Sequence, residues 1–349
     1  MTYLYEKAVT PSFGLRLHLN ENTGGCSPAV LAALRGITPE AIAFYPDYSD
    51  AIAATCERLG VQEPNLLLTN GLDEGILAAS IAAVRNRPAG AEAEAIVVVP
   101  AFDMQAACAD AAGARVVEVP LGDGFAFPAA AIIGAVTPAT RLIFITSPNN
   151  PTGISAPRDA IVSIAAAAPG AIVFVDEAYA DFSGMSLIGD PAMAEHPNII
   201  VGRTFAKAYG LAALRAGALI AAPERLAEIR RVLPPYSLNI ATAVALPAAL
   251  RDREHYESYL SEVRDSKQLL YDALDRWRIP CWRSDANFVL ARFGDQAARV
   301  CGRLMTRGIY VRDRSKNHGC AGCLRITAGV VEHTRLCIDA IEEVLCAAP

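Results

Sequence analysis

Arg203-Thr204-Phe205-Ala206-Lys207-Ala208-Tyr209-Gly210 follows directly on Asn198 to Val201, an apolar run that reads as a short buried strand, and leads through Leu211 to Arg215 and Ala216-Gly217. Lys207 therefore stands at the end of a buried strand among small and apolar residues. Removal from water makes the charged form of such an amine costly and pushes its pKa down. That marks it as a candidate nucleophile, able to condense with a carbonyl. A lone lysine in a loop would read instead as an exposed surface charge, and the neighbouring motifs decide between the two.

Upstream, Ser147-Pro148-Asn149-Asn150-Pro151-Thr152-Gly153 closes the apolar run Arg141 to Thr146, and Ala171 to Val175 runs straight into Asp176-Glu177-Ala178-Tyr179. The order is an asparagine turn, a strand ending in aspartate and tyrosine, a strand followed by lysine, and an arginine eight residues further on. In residue type, order and spacing these four motifs resemble the fold-type I pyridoxal-phosphate aminotransferases, and among them most closely the histidinol-phosphate aminotransferases. The resemblance extends from about Leu19 to Gly329.

It implies an α/β fold: a large domain with a mostly parallel, seven-stranded-type sheet covered by helices, and a small α+β domain built from the N- and C-terminal segments. The residues agree with this. The β runs, from Asn65 to Thr69 through Ala95 to Val99, Arg115 to Val119, 141–146, 171–175, 198–201 and 217–221, are largely apolar without alternation, as in strands covered on both faces. After Pro234-Pro235 the character changes to long helical stretches over 240–278, then strands near Ala286 to Ala291, Ile309 to Arg312 and Leu324 to Thr327, and a closing helix from Val331 to Cys346. The expected division is an N-terminal segment (1–40) joining the small domain, a large cofactor-binding domain (41–240) and a small C-terminal domain (241–349).

A chain of 349 residues exceeds a usual single core, and 53% hydrophobic with 19% charged residues suits a well-buried protein. A net charge of −6 leaves no basic footprint for nucleic acid. No apolar run is long enough to span a bilayer, and Met1 to Lys7 lacks the pattern of a secretory signal, so a cytoplasmic location is expected. Nine cysteines, an odd number, argue against a disulfide framework. Cys320-Ala321-Gly322-Cys323 has metal-ligand spacing, but a single pair followed at once by the strand Leu324-Arg325-Ile326 reads as two reduced structural thiols, and no metal is expected.

The resemblance assigns further residues. From Asn20-Glu21-Asn22 it points to Asn22 as facing the substrate; the residues alone allow equally a polar turn before a helix capped at Ser27. Phe44-Tyr45-Pro46-Asp47 looks like a motif whose tyrosine reaches the partner subunit's cofactor in a homodimer, with Phe44 where an arginine is usual; Tyr45 is carried over. Asn70-Gly71-Leu72-Asp73-Glu74 joins a strand to an alanine-rich helix, and free N–H groups at a helix start form an anion site, so Gly71, Leu72 and Asp73 are assigned to the cofactor phosphate. Phe102, at the C-terminal end of a buried strand, takes the place of the ring stacked on the pyridine.

In the catalyst so implied, Lys207 forms the Schiff base with pyridoxal 5′-phosphate and then moves the proton at the substrate α-carbon. Asp176 holds the pyridine nitrogen protonated, and Asn150 and Tyr179 donate to the ring oxygen. Arg215 and Thr204 hold the phosphate, with Ala206 where a second hydroxyl is usual. Arg312 and Arg325 bind the acidic end of the substrate; an arginine within an apolar strand calls for an anion. The expected reaction, in histidine biosynthesis, moves an amino group between L-histidinol phosphate or a related donor and 2-oxoglutarate. Departures at Pro11-Ser12, Thr23-Gly24 and Ser315 to Gly322 lie on the substrate side. They leave open an aromatic amino-acid aminotransferase or an enzyme like threonine-phosphate decarboxylase. A non-catalytic protein retaining the fold would be expected to have lost the lysine constellation, which is intact.

Overall fold

The computed structural model describes Tyr3, residues 11–87 and residues 90–346, and these form twelve strands. They are β1 (Leu15–Arg16), β2 (Leu66–Asn70), β3 (Glu94–Val99), β4 (Arg115–Pro120), β5 (Thr140–Thr146), β6 (Ile172–Asp176), β7 (Ile199–Thr204), β8 (Ala216–Ile220), β9 (Phe288–Arg292), β10 (Ile309–Tyr310), β11 (Arg312–Asp313) and β12 (Cys323–Thr327). Seven of them make the central sheet in the order β2-β8-β7-β6-β5-β3-β4, parallel except where β8 runs against β7 and β2.

The unbroken apolar runs are explained by what lies on each face. Along β6, Val173 and Val175 enter one core while Ile172 and Phe174 enter the other, and β5 divides Ile143 and Ile145 from Leu142 and Phe144 in the same way. Two helical layers therefore need apolar residues at every position, which is the pattern of a sheet buried on both sides. Full burial of each such side chain contributes about 1.5–3 kcal/mol.

This topology decides where chemistry can sit. Thr146, Asp176 and Gly202 are register partners across β5, β6 and β7, so the segments after these strands leave the sheet at one edge. Because β8 is antiparallel, its first residue lies at that same edge, with Ala216 opposite Asn70 and Gly217 opposite both Thr69 and Thr204. Lys207 and Arg215, both in the connection from β7 to β8, are thereby brought together with Gly71, which follows β2.

The second, smaller sheet has the order β11-β12-β9, and β1 pairs in parallel with β10, joining the N-terminal segment to the C-terminal part as expected. The anticipated strand Ile309 to Arg312 is two short ones, because the chain changes partner at Val311: β10 pairs with β1, and β11 with β12. The 240–278 stretch likewise divides into the helices Ile240–Arg251 and Arg253–Arg276 at Asp252, whose carboxylate accepts from the N–H of His255 at 3.1 Å. The helix Pro28–Arg35, capped by Ser27, puts Val30 into the core of the large sheet, away from the small one. Among the described residues no helix is long and apolar enough to cross a membrane.

Candidate active site

At the carboxyl edge of the large sheet a cavity of about 360 Å³ opens towards the small one. Of the residues singled out in the sequence, Leu72, Asp73, Phe102, Asn150, Asp176, Tyr179, Thr204, Lys207, Arg215, Arg312 and Arg325 all line it.

Asp176 forms the floor. Fully buried at the end of β6, its carboxylate accepts from the N–H of Ala178 at 3.0 Å and from the amide of Gln105 at 3.2 Å. Burial pushes its pKa up to about 6 against the lowering effect of those two bonds, and among the described residues no cation is bonded to it. A carboxylate held dry and facing open space is the partner that a protonated ring nitrogen requires. Lys207 lines the same cavity, its Nζ donating to the carbonyl of Leu19 at 3.0 Å. Phe205, Ala206 and Ala208 around it are buried, while Lys207 is half-buried because its side chain lies in the cavity.

Tyr179 stands edge-on to Phe288, ring centroids 5.1 Å apart, and its hydroxyl accepts from the amide of Asn20 at 2.9 Å. The hydroxyl proton is left to be donated. Asn150 accepts through Oδ1 from Arg325, which leaves its N–H groups as donors. Arg325 also donates to the carbonyl of His18 at 2.6 Å and lies 5.3 Å over the ring of Phe288.

At the far end Arg215, in a left-handed conformation at φ 59°, ion-pairs with Asp73 at 2.8 Å. Gly71 opens the helix Gly71–Arg85 at φ 76°, and a Cβ there would come within 2.5 Å of the Arg215 guanidinium. No side chain caps this helix at Asn70. Free N–H groups, a guanidinium and the positive end of a helix thus converge where the cavity ends, and the set fits a phosphate. Thr204 also lines the cavity; its hydroxyl accepts from the N–H of Ala206 at 3.3 Å and lies 3.5 Å from the carbonyl of Ala216, holding the backbone just before Lys207.

Three assigned residues are not in the cavity wall. Asn22 sits at the turn that follows β1, where its amide donates to the carbonyl of Ala208 at 3.0 Å and its oxygen accepts from Gly24. It buttresses the loop of Lys207, and Asn20 takes the position expected of it. Gly71 acts by what it lacks. Tyr45 lies outside, 78% exposed and stacked on Tyr236 at 4.2 Å. Sequence reasoning missed His18, Asn20, Glu21, Asp103, Thr146 and Arg314, which also line the cavity. A signal existed for two of them, since Leu17 and Leu19 alternate with His18 and Asn20, and Leu17 is fully buried in the small core. Cys320 and Cys323 are both buried beside Phe125 and Leu290, and burial pushes the Cys320 thiol up to about 12.

Residues 14–341 match the family described as aminotransferase class I and II. The chain belongs to that family. The aminotransferase is 35% identical to histidinol-phosphate aminotransferase 2 of Ralstonia nicotianae, over 97% of this chain and 92% of that one. Among solved structures it resembles the histidinol-phosphate aminotransferase of Sinorhizobium meliloti in complex with pyridoxal-5′-phosphate, with a TM-score of 0.83 and 25% identity over 95% of this chain and 90% of the other. The enzyme of the same name from Clostridium acetobutylicum shares the fold, with a TM-score of 0.85 at 20% identity over 95% and 98% of the two chains.

Proposed function

We propose that this aminotransferase binds pyridoxal 5′-phosphate in the cavity and exchanges an amino group between L-histidinol phosphate and 2-oxoglutarate. The observation that carries the reading is the placement of Asp176 and Lys207 on one cavity whose outer wall holds Arg312 opposite Arg325 on adjacent strands. The names and identities of the relatives support the same substrate.

Bound there, pyridoxal phosphate would supply an aldehyde and an electron-withdrawing ring able to take up the electron pair of a substrate C–H bond. The N–H groups at Gly71, Leu72 and Asp73 and the guanidinium of Arg215 hold the phosphate. Phe102 covers a ring face. Asp176 keeps the ring nitrogen protonated, and Tyr179 and Asn150 donate to the ring oxygen. The Nζ of Lys207, steered by the Leu19 carbonyl, is the base that takes the proton from the substrate α-carbon. Arg325 and Arg312 receive the acidic groups of the substrates.

The same reading includes a cytoplasmic homodimer in which Tyr45 reaches the partner's cofactor, a place in histidine biosynthesis, and the division of the chain at residues 40 and 240. The test is an assay of purified protein with histidinol phosphate, phenylalanine or threonine phosphate as donor and 2-oxoglutarate as acceptor. Glutamate formed fastest with histidinol phosphate is the expected result; carbon dioxide released from threonine phosphate without glutamate would overturn it. Added cofactor should turn the protein yellow and Lys207→Ala should lose that absorption.

A further inference from the structure

Three guanidinium groups share the outer wall of the cavity, and two are accounted for above. Arg312 and Arg325 are directly opposite in the antiparallel pair of β11 and β12. Like charges so placed destabilise a sheet, and an anion between them removes the penalty. The ladder continues past β11, with the N–H of Arg314 donating to the carbonyl of Cys323 at 2.9 Å. Two residues on from Arg312, Arg314 projects to the same face, whereas Asp313 points to solvent and accepts from the N–H of Ser315 at 2.8 Å.

Arg314 is 6% exposed, and its Nε has no hydrogen-bond partner. Its ion pair is loose: Nη1 lies 3.9 Å from the carboxylate of Asp103, which is itself half-exposed at the cavity rim. Burial holds the Arg314 guanidinium below its ordinary range, Asp103 offsetting this and Arg312 adding to it. The other carboxylates lining the cavity are engaged elsewhere, Asp73 with Arg215, Glu21 with Arg16 and Asp176 with the N–H of Ala178 and the amide of Gln105. A buried guanidinium with an open donor and a distant counter-charge is a binding group awaiting its anion.

We infer that Arg314 is a third arm of the distal anion subsite and that Asp103 is its provisional counter-charge, displaced when the phosphate group of the substrate arrives. The inference rests on the proposed substrate and adds to it a reason for selectivity. A phosphate monoester carries up to two charges and three terminal oxygens, enough to engage Arg312 and Arg314 together. A carboxylate fills a single guanidinium fork. The subsite thus ranks a phosphorylated donor above a dicarboxylic one at the same position.

The test uses holoenzyme, so that the cofactor phosphate site is filled, and calorimetric titration with inorganic phosphate at pH 8. Arg314→Gln should weaken phosphate binding about tenfold or more, as expected for a lost charge-assisted bond, and raise KM for histidinol phosphate in parallel. KM for 2-oxoglutarate should change by less than about threefold. Asp103→Asn, at a half-exposed site, should tighten phosphate binding. Unchanged phosphate affinity in Arg314→Gln of native melting temperature, or weaker binding in Asp103→Asn, would overturn the inference. Should wild-type protein bind phosphate in this Arg314-dependent way yet fail to turn over histidinol phosphate, the anion subsite stands and the proposed substrate falls.

Discussion

Asn20 donates its side-chain amide to the hydroxyl of Tyr179 at 2.9 Å, joining the N-terminal segment to the turn that follows β6. The orientation of the amide is fixed from its other end, where Oδ1 accepts from the hydroxyl of Thr327 at 3.2 Å. Asn20 also sits at φ 55°, a left-handed conformation that asparagine tolerates and alanine resists. Asn20→Ala should therefore cost about 2–3 kcal/mol in denaturant unfolding, combining the unpaired Tyr179 and Thr327 with backbone strain. Asn20→Gly relieves the strain and leaves the hydrogen bonds missing. Its stability should recover in part while kcat stays down about tenfold, separating positioning from folding.

The raised pKa of Asp176 makes a prediction about the cofactor-free protein. In the unfolded chain the carboxyl ionises near its ordinary value of 3.8, and in the folded one at about 6. Between those values the folded state holds the proton more tightly, so stability falls as pH rises through the interval and the cost is complete above it. A rise of that size corresponds to about 3 kcal/mol. Asp176→Asn should remove that slope and make the cofactor-free protein more stable at pH 7.5 by up to this amount. The bound cofactor should flatten the wild-type slope too, since its ring cation stabilises the carboxylate. Thermal melts of both proteins from pH 4 to 8, with and without cofactor, check each statement; parallel curves for wild type and variant would refute the first.

The large sheet was legible because double-sided burial writes itself as continuous apolar runs, and the chain places Asn150, Asp176 and Lys207 just beyond three of them. What was not legible depends on direction changes. Asn20 and Asn22 are equally plausible in a linear reading, and only the turn at Thr23-Gly24, where the N–H of Gly25 bonds back to the carbonyl of Asn22, aims one into the cavity and the other at Ala208. Arg314 escaped notice for a related reason. The chain changes partner at Val311, and that switch sets which of Arg312, Asp313 and Arg314 face inward.

Gly71 allows a steric test of the phosphate end. Alanine there would adopt φ 76° and place its Cβ 2.5 Å from Nη2 of Arg215, so the guanidinium, the far end of a flexible side chain, must swing away from the place where it meets the phosphate. Gly71→Ala should lower stability by about 1 kcal/mol and cofactor affinity by about tenfold or more, read by titrating the cofactor-free protein and following its absorbance. Gly60→Ala provides the control: it shares a positive φ of 68° but a Cβ meets nothing within 4 Å, so it should show the stability loss with native cofactor affinity.

Ile42, Phe44 and Tyr45 are 70%, 72% and 78% exposed on one short segment, and Tyr45 stacks on the 52% exposed Tyr236. So much apolar surface in one place is the mark of a contact face, and a second copy of the chain is the proposed occupant. Phe44 is informative because arginine is usual there: a ring at a dimer face adds apolar area where a guanidinium would add charge. Phe44→Asp should shift sedimentation velocity from dimer to monomer at micromolar concentration, and with it raise the cofactor dissociation constant. Tyr45→Phe should keep the dimer, since the stacking ring survives, and lose only the hydroxyl, weakening cofactor binding by about tenfold if that group reaches the partner's phosphate. A wild-type protein that sediments as a fully active monomer would remove both expectations together.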